Sequence, residues 1–363
     1  MTDILIIGGG IIGMLTAREL RLTGAEVCLL DRQETGREAT WAGGGIISPL
    51  YPWRYDDSIT RLARWGQIRY PGLAQELEEF TGISPEWNKN GLLILDAEEQ
   101  REALVWASQW GLPLEVIDNQ RIAGLEPALT EPPRQAIWMP EIAQIRNPRL
   151  ARALRADIDK RGVMVLESTP VDALSISDGR IRGVHAGDRL LEAGRIVVCA
   201  GAWTATLLEG SGLSPEVRPI QGQMILFKAI PDLLKRITLF QDHYSIPRRD
   251  GRILFGSTLE DVGFDKRTSA EAQRHLLDIA LARFPALATY PVEQQWAGLR
   301  PASPSGIPYI CPHPEVQGLF INAGHFRNGL VMAPASCRLA ADLVLGRNPV
   351  LDPAPYALTA SRI

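Results

Sequence analysis

A chain of 363 residues, 45% hydrophobic and 22% charged, is long enough for two domain-sized units and too apolar to stay disordered. Its net charge of −4 excludes a global basic field that would draw nucleic acid or anionic lipid. The cysteines (Cys28, Cys199, Cys311, Cys337) form no CxxC pair and the five histidines are scattered, so no metal site is expected and the thiol usage fits a reducing compartment.

The first element is a short apolar strand over Asp3–Ile7, of the buried parallel type. It stops at glycines, far short of a membrane span, and no positively charged leader precedes it; a cytoplasmic protein without a membrane span is the expectation. Gly8-Gly9-Gly10-Ile11-Ile12-Gly13 follows, then a helical pattern over Thr16–Leu22 that ends near Gly24, then a second apolar strand over Glu26–Leu30 that ends in Asp31. A GxGxxG between a strand and a helix, with an acid closing the second strand, is the full context of a dinucleotide site. Gly8 permits the tight turn, Gly10 lets backbone approach a pyrophosphate, and Gly13 lets helix and strand pack closely. The helix N-terminus offers unpaired N–H groups to phosphate, and Asp31 is placed to accept from ribose hydroxyls.

Beyond Asp31 the consecutive strand–helix units of a nicotinamide enzyme are missing, and no second GxGxxG provides a separate NAD(P)H site. The chain instead enters Arg37–Pro49, where Gly43-Gly44-Gly45 lets backbone lie close to a flat ring. This favours FAD. Further along, Gly91–Leu95 reads as a strand and Pro148–Gly162 as a helix, and Met164–Leu174 leads into a nucleotide-domain strand that sets Val171 near the adenine. Arg195–Trp203 is a buried strand running into a glycine turn. Gly222–Lys228, His243–Arg248 and Arg252–Gly256 are short strands, the last two joined at an Asp250-Gly251 turn, and together they suggest an antiparallel sheet roofing the flavin. Gly318–Leu330 is a strand and loop feeding a helix over Val331–Leu345, whose positive end would stabilise negative charge on a reduced flavin. The expected fold is α/β plus antiparallel β: a discontinuous Rossmann-type FAD-binding domain (1–82, 146–216 and 297–363) and a mainly antiparallel substrate domain (83–145 and 217–296).

The segments IIGGGIIG, TWAGGGIISP and VVCAGAW, the hexapeptide Trp296–Pro301 (WAGLRP) and Gly324–Gly329 (GHFRNG) together resemble the D-amino acid oxidase-like FAD superfamily, most closely its glycine oxidase branch linked to thiamine biosynthesis. The resemblance runs over nearly the whole chain. It implies that Arg300 clamps the substrate carboxylate, that Tyr244 adds a hydroxyl, and that Arg327 lies beside flavin and substrate. A planar guanidinium suits a carboxylate because it offers two parallel donors. Alone, Arg300 also reads as a loop arginine, Tyr244 as sheet packing and Arg327 as a structural ion-pair partner. The residues expected around FAD are Gly8, Gly10, Ile11, Ile12, Gly13, Asp31, Arg32, Thr40, Gly43, Gly44, Gly45, Ile46, Ile47, Val171, Ala200, Gly201, Trp203, Arg300, Arg327, Asn328, Gly329 and Leu330. Ile46, Ile47 and Met224 are also candidate pocket walls, and Trp41 packs near the cofactor.

The implied reaction is oxidative deamination of glycine, sarcosine and small D-amino acids. A hydride passes from Cα to flavin N5, water hydrolyses the imine to a 2-oxo acid and ammonia or an amine, and molecular oxygen is reduced to hydrogen peroxide. Relatives imply a homo-oligomer. Cys311 stands closer to Pro314-Glu315 than the tethering cysteine of sarcosine oxidase-like cousins would, so the FAD is expected to be non-covalent. An amino acid dehydrogenase delivering electrons to a quinone or partner protein is the main alternative. A nicotinamide dehydrogenase and a non-catalytic flavin-binding protein are the others.

Overall fold

The computed structural model describes residues 3–362. The strands of the N-terminal half are β1 (Ile4–Ile7), β2 (Val27–Leu30), β3 (Leu92–Ile94), β4 (Glu115–Asp118), β5 (Gln135–Met139), β6 (Met164–Leu166), β7 (Ala173–Ser177), β8 (Arg180–Ala186) and β9 (Arg189–Glu192). Those of the C-terminal half are β10 (Ile196–Val198), β11 (Arg218–Lys228), β12 (Ile237–Phe240), β13 (His243–Pro247), β14 (Arg252–Gly256), β15 (Val292–Ala302), β16 (Tyr309–Pro312) and β17 (Leu319–Ala323). The helices are α1 (Ile11–Arg21), α2 (Ala39–Ala42), α3 (Asp57–Thr81), α4 (Gln100–Trp110), α5 (Asn119–Leu125), α6 (Asn147–Lys160), α7 (Thr204–Leu207), α8 (Ala270–Arg283) and α9 (Gly329–Leu345).

Six strands form the first sheet in the order β16-β17-β10-β1-β2-β6, parallel except at β16. β1 and β2 are buried at every position because both faces are covered, which is why their sequences do not alternate. Ile4, Ile6, Val27 and Leu29 pack against α1, α3, α6 and α9 on one face. Leu5, Ile7, Cys28 and Leu30 pack on the other, toward a three-stranded antiparallel sheet, β7-β8-β9. α3 begins where the Asp56 carboxylate accepts from the Ser58 N–H at 2.8 Å and ends at Gly82 with φ of 77°, a residue that adopts the left-handed region without strain. α9 is apolar almost all round because it is packed against both α1 and α3.

The second large sheet has eight strands, β15-β11-β14-β13-β12-β3-β5-β4, antiparallel except where β12 runs beside β3. The alternation of side chains gives it two distinct faces. Leu93, Ile225, Phe227 and Phe255 pack under α8, whose Ala272, Leu276 and Ala280 repeat every four residues. The opposite face carries Met224, Tyr244, Ile246 and Leu254 and turns toward the Gly43–Tyr51 segment.

The α/β and mainly antiparallel layers expected from sequence are both present. Arg300 sits on a strand, not a surface loop: β15 pairs with β11 from Val292 to Ala302, Arg300 opposite Ile220. The change of domain expected between residues 296 and 297 falls inside this strand. The partner strand explains it, since the register of β15 is set by β11, some 75 residues earlier, and not by its own short-range pattern.

Candidate active site

Both sheets border one cavity of about 420 Å³. At its start, Gly8 has φ of 107° and leaves no room for a side chain beside the Cys199 carbonyl. Gly13 is packed so closely that a Cβ would overlap the Gly8 carbonyl oxygen. Gly10 is different: a Cβ there would meet only Thr40 Oγ1, at 3.2 Å, so its bare backbone borders open cavity. α1 starts directly after Gly10 without a side-chain cap. Its Ile11 N–H is taken by Thr40 Oγ1 at 2.8 Å, leaving the next amides of the turn to a ligand. Asp31 also borders the cavity, with its carboxylate folded inward: Oδ2 accepts from Gly9 N–H at 2.6 Å and Oδ1 from Gln33 N–H at 2.9 Å. Burial raises its pKa, opposed by those two bonds. Arg32 lies 3.6 Å over the Trp203 ring, and Val171, Ala200 and Gly201 complete this end.

The three consecutive glycines prove to be required by protein neighbours. A Cβ on Gly43 would come within 2.7 Å of Asn147 Nδ2, one on Gly44 within 3.0 Å of the Tyr244 ring, and one on Gly45 within 2.8 Å of Asn147 Oδ1. The Asn147 amide donates to the Thr40 carbonyl at 2.8 Å, while its Oδ1 is buried with no partner. A buried acceptor without a donor is costly unless a ligand supplies one. Behind the same loop, Arg248 donates to the carbonyls of Gly44 (2.7 Å) and Ile145 (3.2 Å) and to Gln144 Oε1 (2.7 Å). Burial, helped by nearby Arg146, pulls the Arg248 pKa down to about 10.

The opposite end is cationic. Arg300 reaches across β11, donating from Nη1 to the carbonyls of Gln221 (3.0 Å) and Thr258 (3.3 Å) and from Nη2 to Ser257 Oγ (2.7 Å). Its guanidinium fills the space where a Gly222 side chain would be. Among the described residues no carboxylate pairs with it within 4 Å, so its charge meets only dipoles and the cavity. Burial lowers its pKa, Tyr244 opposes that shift and Arg327 adds to it. Tyr244 is 8% exposed, with its hydroxyl 3.9 Å from Met224 Sδ. Arg327 lines the cavity and has one loose carboxylate contact, 4.0 Å from Asp242.

His325 closes the wall at the N-terminus of α9. Ser336 donates its hydroxyl to Asn322 Oδ1 at 2.6 Å, so its oxygen must accept from His325 Nε2 at 2.7 Å, which fixes the imidazole tautomer. Burial pushes the His325 pKa down to about 3, and the ring stays neutral.

Of the residues singled out from sequence, Gly8, Gly10, Ile11, Ile12, Asp31, Arg32, Thr40, Gly43, Gly44, Gly45, Ile46, Val171, Ala200, Gly201, Trp203, Tyr244, Arg300, Arg327, Gly329 and Leu330 border the cavity. Gly13 packs beneath the glycine loop, and Ile47 lies in the helical core. Asn328 is 2% exposed beside the site, its Nδ2 unpaired. Asn147, Arg248, Ser257 and Gly222 were missed. Only Gly222 carried a local signal, since a glycine inside a strand marks a close approach by something else.

Residues 3–343 match the DAO family model, described as FAD dependent oxidoreductase. The chain belongs to this family. It is 48% identical to a glycine oxidase of Pseudomonas aeruginosa over 98% of both chains, and 46% identical to one of Pseudomonas putida over the same shares. The crystal structure of glycine oxidase from Geobacillus kaustophilus superposes with a TM-score of 0.94 at 30% identity, covering 99% of this chain and 98% of that one. FAD is therefore the cofactor, and the residues fit it. Gly10, the free amides of α1 and the unpartnered Asn147 Oδ1 provide the bare backbone, donors and acceptor that a dinucleotide uses. The described residues hold no group of three or more His, Cys, Asp or Glu side chains that could bind a metal ion. Nor is any described helix long and apolar enough to cross a membrane.

Proposed function

We propose that the chain oxidises the Cα–N bond of glycine, sarcosine and small D-amino acids, giving a 2-oxo acid with ammonia or an amine, and that molecular oxygen is the final acceptor, giving hydrogen peroxide. The observation that carries this reading is Arg300: a guanidinium in the cavity wall with no carboxylate of its own. A buried cation satisfied only by neutral acceptors favours an anionic ligand strongly, because the arriving carboxylate replaces lost hydration.

Arg300 and the Tyr244 hydroxyl hold the substrate carboxylate at two points and so fix the orientation of Cα. FAD, when bound, supplies the hydride acceptor. Arg327 adds positive potential at the same end and disfavours a protonated substrate amine, which must be neutral to release hydride. No carboxylate among the described residues lines this end, and neutral His325 is engaged with Ser336, so proton removal is assigned to solvent. Non-covalent FAD is supported by the position of Cys311, buried on β16 away from the cavity wall with its thiol pKa pushed up to about 11. A cytoplasmic enzyme, acting as a homo-oligomer without nucleic acid, remains part of the proposal.

The test is spectroscopic. Glycine, sarcosine and D-alanine are added anaerobically to the yellow protein, then air is admitted and peroxide measured. Bleaching followed by peroxide supports the oxidase. Bleaching without peroxide would replace oxygen by a quinone or protein acceptor, and a flavin bleached by none of the three would refute the substrate class.

A further inference from the structure

The segment between β14 and α8 leaves the substrate sheet beside Arg300 and ends against the opposite domain. Its root is fixed. Ser257 and Thr258 accept from Arg300, and Glu260 exchanges both backbone hydrogen bonds with Gln221 of β11, at 2.9 and 3.0 Å. The far side is fixed as well, where Gln221 Nε2 donates to the carbonyl of Asp265 at 2.7 Å. Phe264, between these anchors, and the Lys266 side chain, next to the second anchor, both reach away from their own sheet. Phe264 stacks on Trp203, ring centroids 5.4 Å apart and planes 27° off parallel. Lys266 donates to both oxygens of Glu38, at 3.0 and 3.2 Å. Trp203 and Glu38 are walls of the cofactor cavity at the end that also holds Asp31 and Arg32. That end reaches solvent: the Arg32 side chain is 40% exposed.

We propose that residues 261–266 form a clasp over this end of the cavity, shut by Phe264 on Trp203 and Lys266 on Glu38, and that opening the clasp gates the passage of FAD. Three features support the assignment. Phe264 is 45% exposed, and with Leu259 (57%) and Val262 (46%) it forms an apolar stretch buried in neither core. Its aromatic stacking is therefore a surface contact between domains and not core packing. Glu38 is held from its own side by Arg32 (2.8 Å) and Gln33 (2.6 Å), which preorganises the carboxylate for Lys266. Lastly, both contacts are weak enough to break on a working timescale: a surface ion pair and one stacked pair each shift an equilibrium by about tenfold at most.

The gate has a kinetic signature. Both contacts join protein to protein, so opening breaks them on entry and on exit alike. Weakening them speeds FAD uptake and FAD release by the same factor and leaves the equilibrium constant nearly unchanged. A residue that touched FAD directly would alter release alone. Phe264 and Lys266 are thus positioning residues, acting through Trp203 and Glu38.

The experiment follows flavin fluorescence during release from diluted holoenzyme and during uptake by the apoprotein. Phe264→Ala is expected to raise both rates about 2- to 12-fold, and Lys266→Met about 1.5- to 5-fold. Raising salt to about 1 M speeds both rates of the wild type more than those of Lys266→Met, because the ion pair is screened. Rates unchanged in both variants overturn the clasp, as does faster release with unchanged uptake. The proposal rests on FAD occupying this cavity, which the wild-type visible spectrum reports separately. A wild type that takes up no FAD would remove that premise, whereas a yellow wild type with unaltered variants removes the clasp alone.

Discussion

Replacing Gly222 by alanine tests the substrate clamp without replacing any charged group. Gly222 lies on β11 directly opposite Gly298 of β15, and the Arg300 guanidinium occupies the space its side chain would need. A new methyl there overlaps Cζ and both terminal nitrogens. Restoring an ordinary contact moves the guanidinium by about 1 Å or more. Its three hydrogen bonds to Gln221, Thr258 and Ser257 cannot all follow. The protein has an easy escape, because the side-chain end can swing into the cavity, so the fold survives while the clamp is misplaced. A charge-assisted hydrogen bond to substrate is worth roughly 1.5–3 kcal/mol. Losing one bond of the pair raises KM for glycine about 10- to 150-fold at 1.4 kcal/mol per decade. The assay is steady-state peroxide formation over a glycine series, with FAD content read from the visible spectrum of the same sample. A KM within about twofold of wild type, at full FAD content, would refute the placement of Arg300 as the carboxylate clamp.

Arg300→Lys keeps the charge and loses the planar fork; a KM for glycine raised about tenfold or more, with FAD retained, is the expected kinetic result. Gly13→Ala forces a methyl onto the Gly8 carbonyl, and the purified protein should carry little FAD by absorbance. Arg248→Met strips donors from two carbonyls and Gln144, and should lower unfolding free energy by about 2–4 kcal/mol in denaturant titration. His325 binds its proton less readily folded than unfolded, so its contribution is present above about pH 6.5 and is lost as pH falls from there toward 3. Stability should fall with pH across that window, and His325→Gln should flatten the slope measured by urea unfolding at several pH values.

What could be read in the sequence was local. β1, the glycine loop and α1 lie within 21 residues, and Gly13 clears the Gly8 carbonyl inside that stretch. The hairpin at Asp250-Gly251 was legible for the same reason, with Gly251 at φ of 87°. Long-range determinants were not. Arg248 supports Gly44 from 204 positions away, and Asn147 holds Thr40 from 107. Nothing near either residue in sequence marks that partnership. The glycine triplet shows a subtler gap: small residues were readable as close approach, but the neighbours are Asn147 and Tyr244, not only a flat ring. Arg300 was found by its motif, while its seat on a strand depended on β11.

The strand order has a consequence for how the enzyme is made. β1 is made before the other strands of its sheet, yet its neighbours in the finished sheet are β2 and β10, and β10 in turn needs β17. The glycine loop is braced by Cys199, and the cationic end needs Arg300 and Arg327. No nascent chain that stops short of Arg327 can therefore assemble the site. Closing such distant pairings is slow. Because the assembled cavity and not the unfolded chain binds FAD, added flavin draws the chain into the holoenzyme by mass action.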